Sequence, residues 1–175
     1  MSRVPLAIAT TALASFAAAA FAQASPPLEV RKEMIDAVNP AALAIWDVTN
    51  AATDDDGALD PARLTGDHWA RLKESAEMLE IHGQRMAEAQ VIVAGGPDLV
   101  GGELPPGVAS REEIQGKIDA DPESFRMIAA EMAGQARALV AAIDTRDAAK
   151  TGEIAFGIDG ACQACHEQYW YPSGG

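Results

Sequence analysis

The sequence predicts an all-α fold, and three observations support that prediction. Apolar residues recur at spacings of three and four along four long stretches, which is the spacing of one helix face. Residue types that favour helix N-termini precede several of these stretches, while clusters of glycine and proline separate them. We find no run of alternating apolar and polar residues that would indicate a strand. The chain is therefore expected to fold as amphipathic helices around one core.

The first predicted helix covers residues 28–50. Its apolar stripe consists of Val30, Met34, Val38, Ala41, Ala42, Ile45 and Thr49, with Ile35 and Trp46 beside it. Pro40 lacks a backbone N–H and clashes with the preceding turn, so we expect either a kink there or a new start with Asn39 as N-cap. Because the stripe keeps its phase across Pro40, the segment is predicted to form one bent helix or two nearly collinear pieces.

A turn-rich segment and a second long helix follow. Residues 51–64 hold three adjacent aspartates and an Asp-Pro pair, which indicate a solvated acidic loop. The alternative of a calcium loop lacks the EF-hand spacing and its terminal glutamate. Thr65 is then a candidate N-cap for a helix that we expect to extend to about Val93.

Residues 94–109 are rich in glycine and proline and are expected to form a long crossover. They lack the residue order of a phosphate-binding loop, and no strand precedes them. Ser110 and Glu113 then match a capping box, which predicts a short helix to about Ile118.

The last two long helices are predicted by the remaining apolar stripes. Asp121 and Pro122 supply an N-cap and a proline at the first helical position, and the helix is expected to reach about Arg146. The final helix is predicted over residues 147–169. Glycines weaken it. Close approach of a neighbouring group, such as a flat macrocycle, would explain them, and so would fraying of the first half of the helix. These glycines are Gly152, Gly157 and Gly160.

The final helix contains the sequence Cys162-Gln163-Ala164-Cys165-His166, which includes the only two cysteines of the chain. In a helix, residues three and four apart share a face, so two thiols and an imidazole would project from one side. C-x-x-C-H is the signature of covalent haem attachment, in which each thiol adds to a vinyl group and the histidine binds iron. The sequence therefore predicts a c-type haem at this helix.

Other readings of the motif remain open. The cysteines could form a disulfide or a thioredoxin-like dithiol, but neither accounts for the adjacent histidine. A zinc site would need further ligands, and only His68 and His82 remain, both distant in sequence. Either of these histidines is also a candidate distal haem ligand, although a surface or boundary position is the simpler expectation.

Residues 1–24 are predicted to be a cleaved signal peptide. A positive N-terminus with Arg3 precedes an apolar run and small residues that allow cleavage after Ala22 or Ala24. An N-terminal membrane anchor is the alternative. Cleavage after Ala24 would leave residues 25–175, the length of a single domain.

The net charge of the chain restricts the kinds of partner that we expect it to bind. The formal net charge is −13, and it becomes −14 when Arg3 is removed with the signal peptide. Such a surface repels phosphate backbones, so nucleic-acid binding is excluded. The acidity favours solubility, with steering towards a basic redox partner as the alternative. No second apolar segment is long enough to span a membrane, and no arrangement of catalytic residues indicates an enzyme.

Helix order, the long crossover and the C-terminal motif resemble the class II c-type cytochromes, namely the cytochrome c-prime type and its low-spin, six-coordinate relatives. The specific part of the likeness is the motif and its extension to Tyr169. The resemblance implies an antiparallel four-helix bundle with a C-terminal haem-attachment helix, and a periplasmic, monohaem protein in electron transfer. By position, Cys162 and Cys165 would bind haem c covalently, and His166 would be the axial iron ligand.

The resemblance also directs attention to the first helix. The family commonly has arginine near the haem after the motif's tyrosine, but Trp170 stands here, so Arg31 becomes the candidate for contact with the propionates. A first-helix residue faces the sixth coordination position. Met34 would make a six-coordinate electron carrier, whereas Ile35 would leave an open site for small gases such as NO or CO. The family's pairing through its first two helices also implies a homodimer.

Overall fold

A computed structural model describes residues 26–95 and 107–171, which form five helices and two very short strands. Helix α1 passes through three consecutive segments, Val30–Glu33, Met34–Val38 and Asn39–Ala52, of which the middle one is π-helical. The other helices are α2 (Gly66–Glu88), α3 (Arg111–Ala120), α4 (Pro122–Asp144) and α5 (Ala148–Cys165), which continues as a π-turn over His166–Trp170. The strands are β1 (Leu28–Glu29) and β2 (Ile92–Val93). The all-α prediction is confirmed.

The four long helices form a bundle, and α3 covers one of its ends. Helix α2 packs against α1 and α4, α5 packs against α4, and a smaller contact between α1 and α5 closes the ring. The largest fully buried side chains come from all four long helices and from α3; they include Ile45, Leu72, Leu79, Ile118, Leu139 and Ile158. No helix within the described ranges has the length and apolar character needed to cross a bilayer.

Side-chain caps mark the starts of α2, α3, α4 and α5, and the sequence predicts those at Thr65, Ser110 and Asp121. The Thr65 hydroxyl accepts a hydrogen bond from the His68 N–H, and the Ser110 hydroxyl accepts one from the Glu113 N–H. Asp121 caps α4, and the Asp147 carboxylate caps α5 in the same way. Each cap satisfies an N–H that would otherwise lack a partner in the first helical turn.

The prediction that Asn39 acts as an N-cap before Pro40 is wrong. Asn39 has helical dihedral angles, with φ −64° and ψ −46°, and the helix continues through Pro40 without an N-cap there. A π-turn lies immediately before the proline instead, and in it the Asn39 N–H bonds to the Met34 carbonyl. Pro40 has no N–H to offer the preceding turn, and the wider turn accommodates this, so that the helical segments follow one another without an intervening loop.

Helix α2 ends at Glu88, and the prediction that it reaches Val93 is wrong. Ile92 and Val93 form β2 and pair in parallel with Leu28 and Glu29, so that α1 starts only at Val30. The side chains at 91–93 are all β-branched, a type that favours extended backbone, and a pairing partner from the N-terminal segment stabilises it. The pairing ties the start of α1 to the end of α2.

The remaining boundaries differ by a few residues. Helix α3 extends to Ala120 rather than Ile118, and α4 ends at Asp144, two residues before the predicted end. Arg146 lies in the following turn with a positive φ of 52°, which no helix residue adopts. The crossover at 94–109 falls largely on 96–106, outside the described residues.

Close approach of a neighbouring side chain explains only one of the three glycines of α5, Gly152. A Cβ at Gly152 would lie 3.1 Å from Cγ of Leu59, a side chain of the loop after α1, and not against a haem site. A Cβ at Gly157 or Gly160 would meet nothing within 4 Å. Both of these glycines are exposed, so no packing contact within the described residues explains them. A close approach between two helices occurs elsewhere, where Gly83 of α2 meets Ala133 of α4.

We predict opposite effects for two alanine substitutions at this crossing. A Cβ at Gly83 would lie 3.1 Å from the backbone nitrogen and the Cβ of Ala133, whereas a Cβ at Gly134 would meet nothing within 4 Å. Gly134→Ala should raise the free energy of unfolding by roughly 0.5–1 kcal/mol, because alanine is the better helix former. Gly83→Ala should lower it by about 1–2 kcal/mol, because the crowded backbone cannot yield. Denaturant unfolding of both variants measures this, and equal stabilisation would contradict the close crossing.

Candidate haem pocket

One end of the bundle contains a cavity of about 420 Å³. It lies between the first half of α1, the end of α2, helix α3, the start of α4 and the end of α5. Most of its wall is apolar; Val38, Ile114, Ile118, Phe125, Ile128 and Ala129 are among the lining residues. Its volume is within the range of sites that hold small molecules and cofactors.

The three chemically distinctive side chains of the C-terminal motif line this cavity. Cys162 and Cys165 are half-buried free thiols in the last turns of α5, and His166 begins the π-turn that follows. The His166 N–H bonds to the carbonyls of Cys162 and Gln163, so the helix passes into the π-turn without a break. The structure thus brings together the residues that the sequence motif predicts to act together.

Burial sets the protonation of this group. It raises the pKa of the Cys165 thiol to about 11, with a smaller contribution from Cys162. Burial, followed by the charge of Asp159, also raises the pKa of Cys162. The His166 ring is exposed at the cavity, but the protein around it still partly desolvates it and lowers its pKa. A neutral imidazole keeps the lone pair that a metal ligand needs.

An aromatic side chain lies next to the His166 ring. Tyr171 packs edge-on against it, with ring centroids 6.4 Å apart and an interplanar angle of 84°. On the other side of the π-turn, Tyr169 is buried and packs edge-on against Phe125, with centroids 5.6 Å apart. These contacts anchor the turn that presents the imidazole.

Arg31 is a cation at the cavity without an anionic partner among the described residues. Its Nε is buried and makes no hydrogen bond. Its Cζ lies 5.9 Å from the ring centroid of Trp170, which replaces the arginine that the resemblance leads one to expect. A buried charged group without a counter-charge is costly, so the cavity suits a ligand that brings an anionic group to this place.

Met34 and Ile35 both line the cavity. Met34 is half-buried and packs against the core, while Ile35 is 46% exposed. Met34 is also the first residue of the π-turn in α1, which presents these two consecutive side chains to the same cavity. Both candidates for the sixth coordination position are therefore at the site.

Two further methionines line the cavity. Met86 is 2% exposed and Met132 is 6% exposed, so both are enclosed by protein. The Cε of Met132 lies 3.1 Å from the position that a Cβ of Gly83 would occupy, which places it at the crossing of α2 and α4. Their positions in the apolar stripes of α2 and α4 predict that these methionines are buried. The stripes do not predict that the two side chains border a cavity.

Neither His68 nor His82 lines the cavity, so the alternative role as a distal iron ligand is wrong for both. The His68 ring completes the capping box of α2 by accepting from the Thr65 N–H. His82 Nδ1 lies 2.6 Å from Oε2 of Glu33.

Glu33 is a buried carboxylate that joins α1 to α2, beside the cavity residue Met34. Its side chain is 7% exposed and binds both His82 and Arg85, with 3.0 Å between Glu33 Oε1 and a terminal nitrogen of Arg85. Sequence reasoning missed this cluster because its members are far apart in the chain, and a glutamate on an amphipathic helix normally faces solvent. The cluster fixes the part of α1 that forms one cavity wall.

We predict that Glu33→Gln lowers the free energy of unfolding by about 1–3 kcal/mol, because it weakens charge-assisted hydrogen bonds to a buried group. Asp36→Asn is the matched control, since Asp36 pairs with Lys32 on the exposed side of the same helix. An exposed pair contributes roughly 0–1 kcal/mol, so the control should stay close to the parent protein. Denaturant unfolding measures both, and equal losses would show that Glu33 is not an anchor.

The residues of the cavity fit a haem c. Two thiols at the required spacing and a neutral imidazole occupy one wall, and apolar side chains surround them. The Arg31 guanidinium, which has no anionic partner among the described residues, can donate hydrogen bonds to a carboxylate. These features come from four different segments of the bundle. The same cavity would be a poor zinc site, because no cluster of three or more histidine, cysteine or acidic side chains occurs among the described residues.

Comparison with known families agrees with this chemistry. The family model described as Cytochrome C′ matches residues 104–170, which include α3, α4, α5 and the motif. Comparison with curated proteins and with solved structures found no significant match. The matched family is a class II c-type cytochrome family of four-helix bundles, typically periplasmic, that bind haem c covalently with its iron. Over residues 104–170 the chain is thus similar to the cytochrome c′ family, a class II c-type cytochrome family.

Proposed function

We propose that this protein is a periplasmic, monohaem electron carrier and not an enzyme. In this proposal Cys162 and Cys165 hold haem c through thioether bonds, and His166 is an axial ligand of its iron. The observation that supports it most directly is that all three side chains line one apolar cavity. When bound, the haem supplies a one-electron cycle between ferric and ferrous iron.

The protein's own residues have three tasks in this function. Helix α5 fixes the thiols and the imidazole on one rigid element, so that the cofactor cannot shift. The apolar wall from α3 and α4 keeps water away, which raises the reduction potential and limits reorganisation. Arg31 binds the propionates, a role supported by its buried Nε that has no hydrogen bond within the described structure.

The attachment is tested with cysteine variants. We expect acidified acetone to leave the pigment on the parent protein, because thioether bonds resist extraction, and to release it from any coloured Cys162→Ala/Cys165→Ala double variant. Gln163→Ala is the matched control within the motif, since that side chain is exposed and bonds only to Glu167. Its pigment should stay bound. Extraction of the pigment from the parent protein would contradict the proposed attachment.

Met34 is the proposed sixth ligand. Of the three methionines at the cavity it is the least enclosed by protein, so its thioether is the most accessible from the cavity. Met86 and Met132 are already packed in the core. A thioether opposite the imidazole favours a raised reduction potential, which suits outer-sphere electron transfer.

The alternative is a five-coordinate haem protein that binds NO or CO at an open distal site. The observation in its favour is that Ile35 also lines the cavity and has an exposed apolar side chain that a cofactor would cover. In that case Met34 would only pack against the core. An apolar side chain over the iron leaves the sixth position free for a diatomic gas.

Carbon monoxide binding to the reduced protein separates the two functions. If Met34 is the sixth ligand, we expect the parent protein to bind the gas slowly or not at all, and Met34→Leu to bind it rapidly and completely. Met127→Leu is the control, because Met127 is 66% exposed and does not line the cavity. Absorption spectra in both oxidation states report the binding. Fast, complete binding by the parent protein would contradict the six-coordinate carrier and support the open site.

The proposal also covers the export of the protein and the partners that it binds. Residues 1–24 lie outside the described residues, and we propose that they direct export and are removed, leaving 25–175 as a single domain. The strongly acidic chain, with net charge −13 before processing, suits a basic redox partner. A homodimer through the first two long helices is supported by three exposed apolar side chains on α1 and α2 that do not line the cavity. They are Leu43, Met78 and Ile81.

A further inference from the structure

We infer that Trp170 is a positioning residue that holds the Arg31 guanidinium at the cavity and thereby raises the reduction potential of the haem. The inference rests on the proposed haem site and extends it to a residue outside the attachment motif. Its basis is the contact between the two side chains, in which Arg31 Cζ lies 5.9 Å from the Trp170 ring centroid. Both residues line the cavity.

Arg31 needs such a contact because little else holds its side chain. Its backbone N–H bonds to the carbonyl of Ala94 at 3.4 Å, but its Nε is buried without a hydrogen bond. No carboxylate within the described ranges pairs with its guanidinium, although Lys32, its neighbour, pairs with Asp36. The attraction between a cation and an indole face is strongest where water is partly excluded, as it is here.

Trp170 is held firmly enough to act as this platform. It is half-buried at the end of the π-turn, and its carbonyl accepts a hydrogen bond from the Ala109 N–H at 2.9 Å. The Tyr171 N–H closes the π-turn on the His166 carbonyl at 2.7 Å. Lys117 of α3 donates to the Gln168 carbonyl at 2.6 Å. The backbone that carries the indole is thus fixed within the same turn that presents the imidazole.

The position of a cation at the cavity has a direct electrostatic consequence. Reduction adds one negative charge at the iron, and a nearby positive charge stabilises that state. Burial weakens the screening by salt, so the guanidinium acts more strongly inside the cavity than in solvent. If the indole is removed, the long arginine side chain can turn out to water, and the reduced state loses this stabilisation.

A double-mutant cycle on the purified holoprotein tests the inference. The reduction potential is measured for the parent protein, Arg31→Gln, Trp170→Leu and the double variant, with Phe156→Leu as an exposed control on α5 that does not line the cavity. We expect Arg31→Gln to lower the potential and Trp170→Leu to lower it by most of the same amount. The double variant should be no lower than Arg31→Gln, because both substitutions remove one interaction.

Two results would overturn the inference. One is a reduction potential of Trp170→Leu that equals that of the parent protein. The other is a reduction potential of the double variant that is lowered by the sum of the two single effects. Such additivity is expected if Trp170 only keeps water out of the cavity. If Trp170→Leu does not accumulate, Trp170→Phe replaces it in the same cycle. We expect Trp170→Phe to lower the reduction potential by a smaller amount, and to have no effect on the potential when Arg31→Gln is already present. Absorption spectra that match the parent show that haem and axial ligands are in place. A parent protein without covalent haem would instead refute the proposed function.

Discussion

The structure depends on the placement of two thiols and an imidazole on one face of the last helix, at the end of the bundle where the helices enclose a cavity. The helical repeat brings Cys162, Cys165 and His166 to one side. The bundle must then leave apolar space opposite them, and α3 closes that end with Ile114 and Ile118. Fixed ligands and a largely apolar wall are what a covalently held redox cofactor requires.

Another wall of the cavity is formed by α1, and a strand pairing and a buried ionic cluster hold this helix in place. The β1–β2 pairing ties the chain before α1 to the segment after α2. The buried Glu33 joins α1 to His82 and Arg85 of α2. A π-turn from Met34 to Val38 lies between Glu33 and Pro40. This turn contains both Met34 and Ile35, the two candidates for the residue that faces the sixth coordination position. Such turns are common at functional sites because they redirect side chains without ending a helix.

Much of this could be predicted from the sequence, because the relevant information is local. The capping residues Thr65 and Ser110 start their helices as expected, and the motif at 162–166 identifies the cofactor chemistry. What could not be predicted depends on partners distant in the chain. Ile92 is a strand residue only because Leu28 lies beside it, and Glu33 is buried only because α2 supplies its partners. The cavity itself arises from the packing of five segments.

The central claim is that haem c is bonded to the last helix, and its most direct test is the mass of one peptide. No lysine or arginine follows Lys150, so trypsin should release residues 151–175 as one fragment that contains both cysteines. In protein purified from cells with haem-maturation machinery, mass spectrometry should find this fragment heavier by one haem. A fragment with the unmodified mass, or lighter by the two hydrogens lost in a disulfide, would contradict the account.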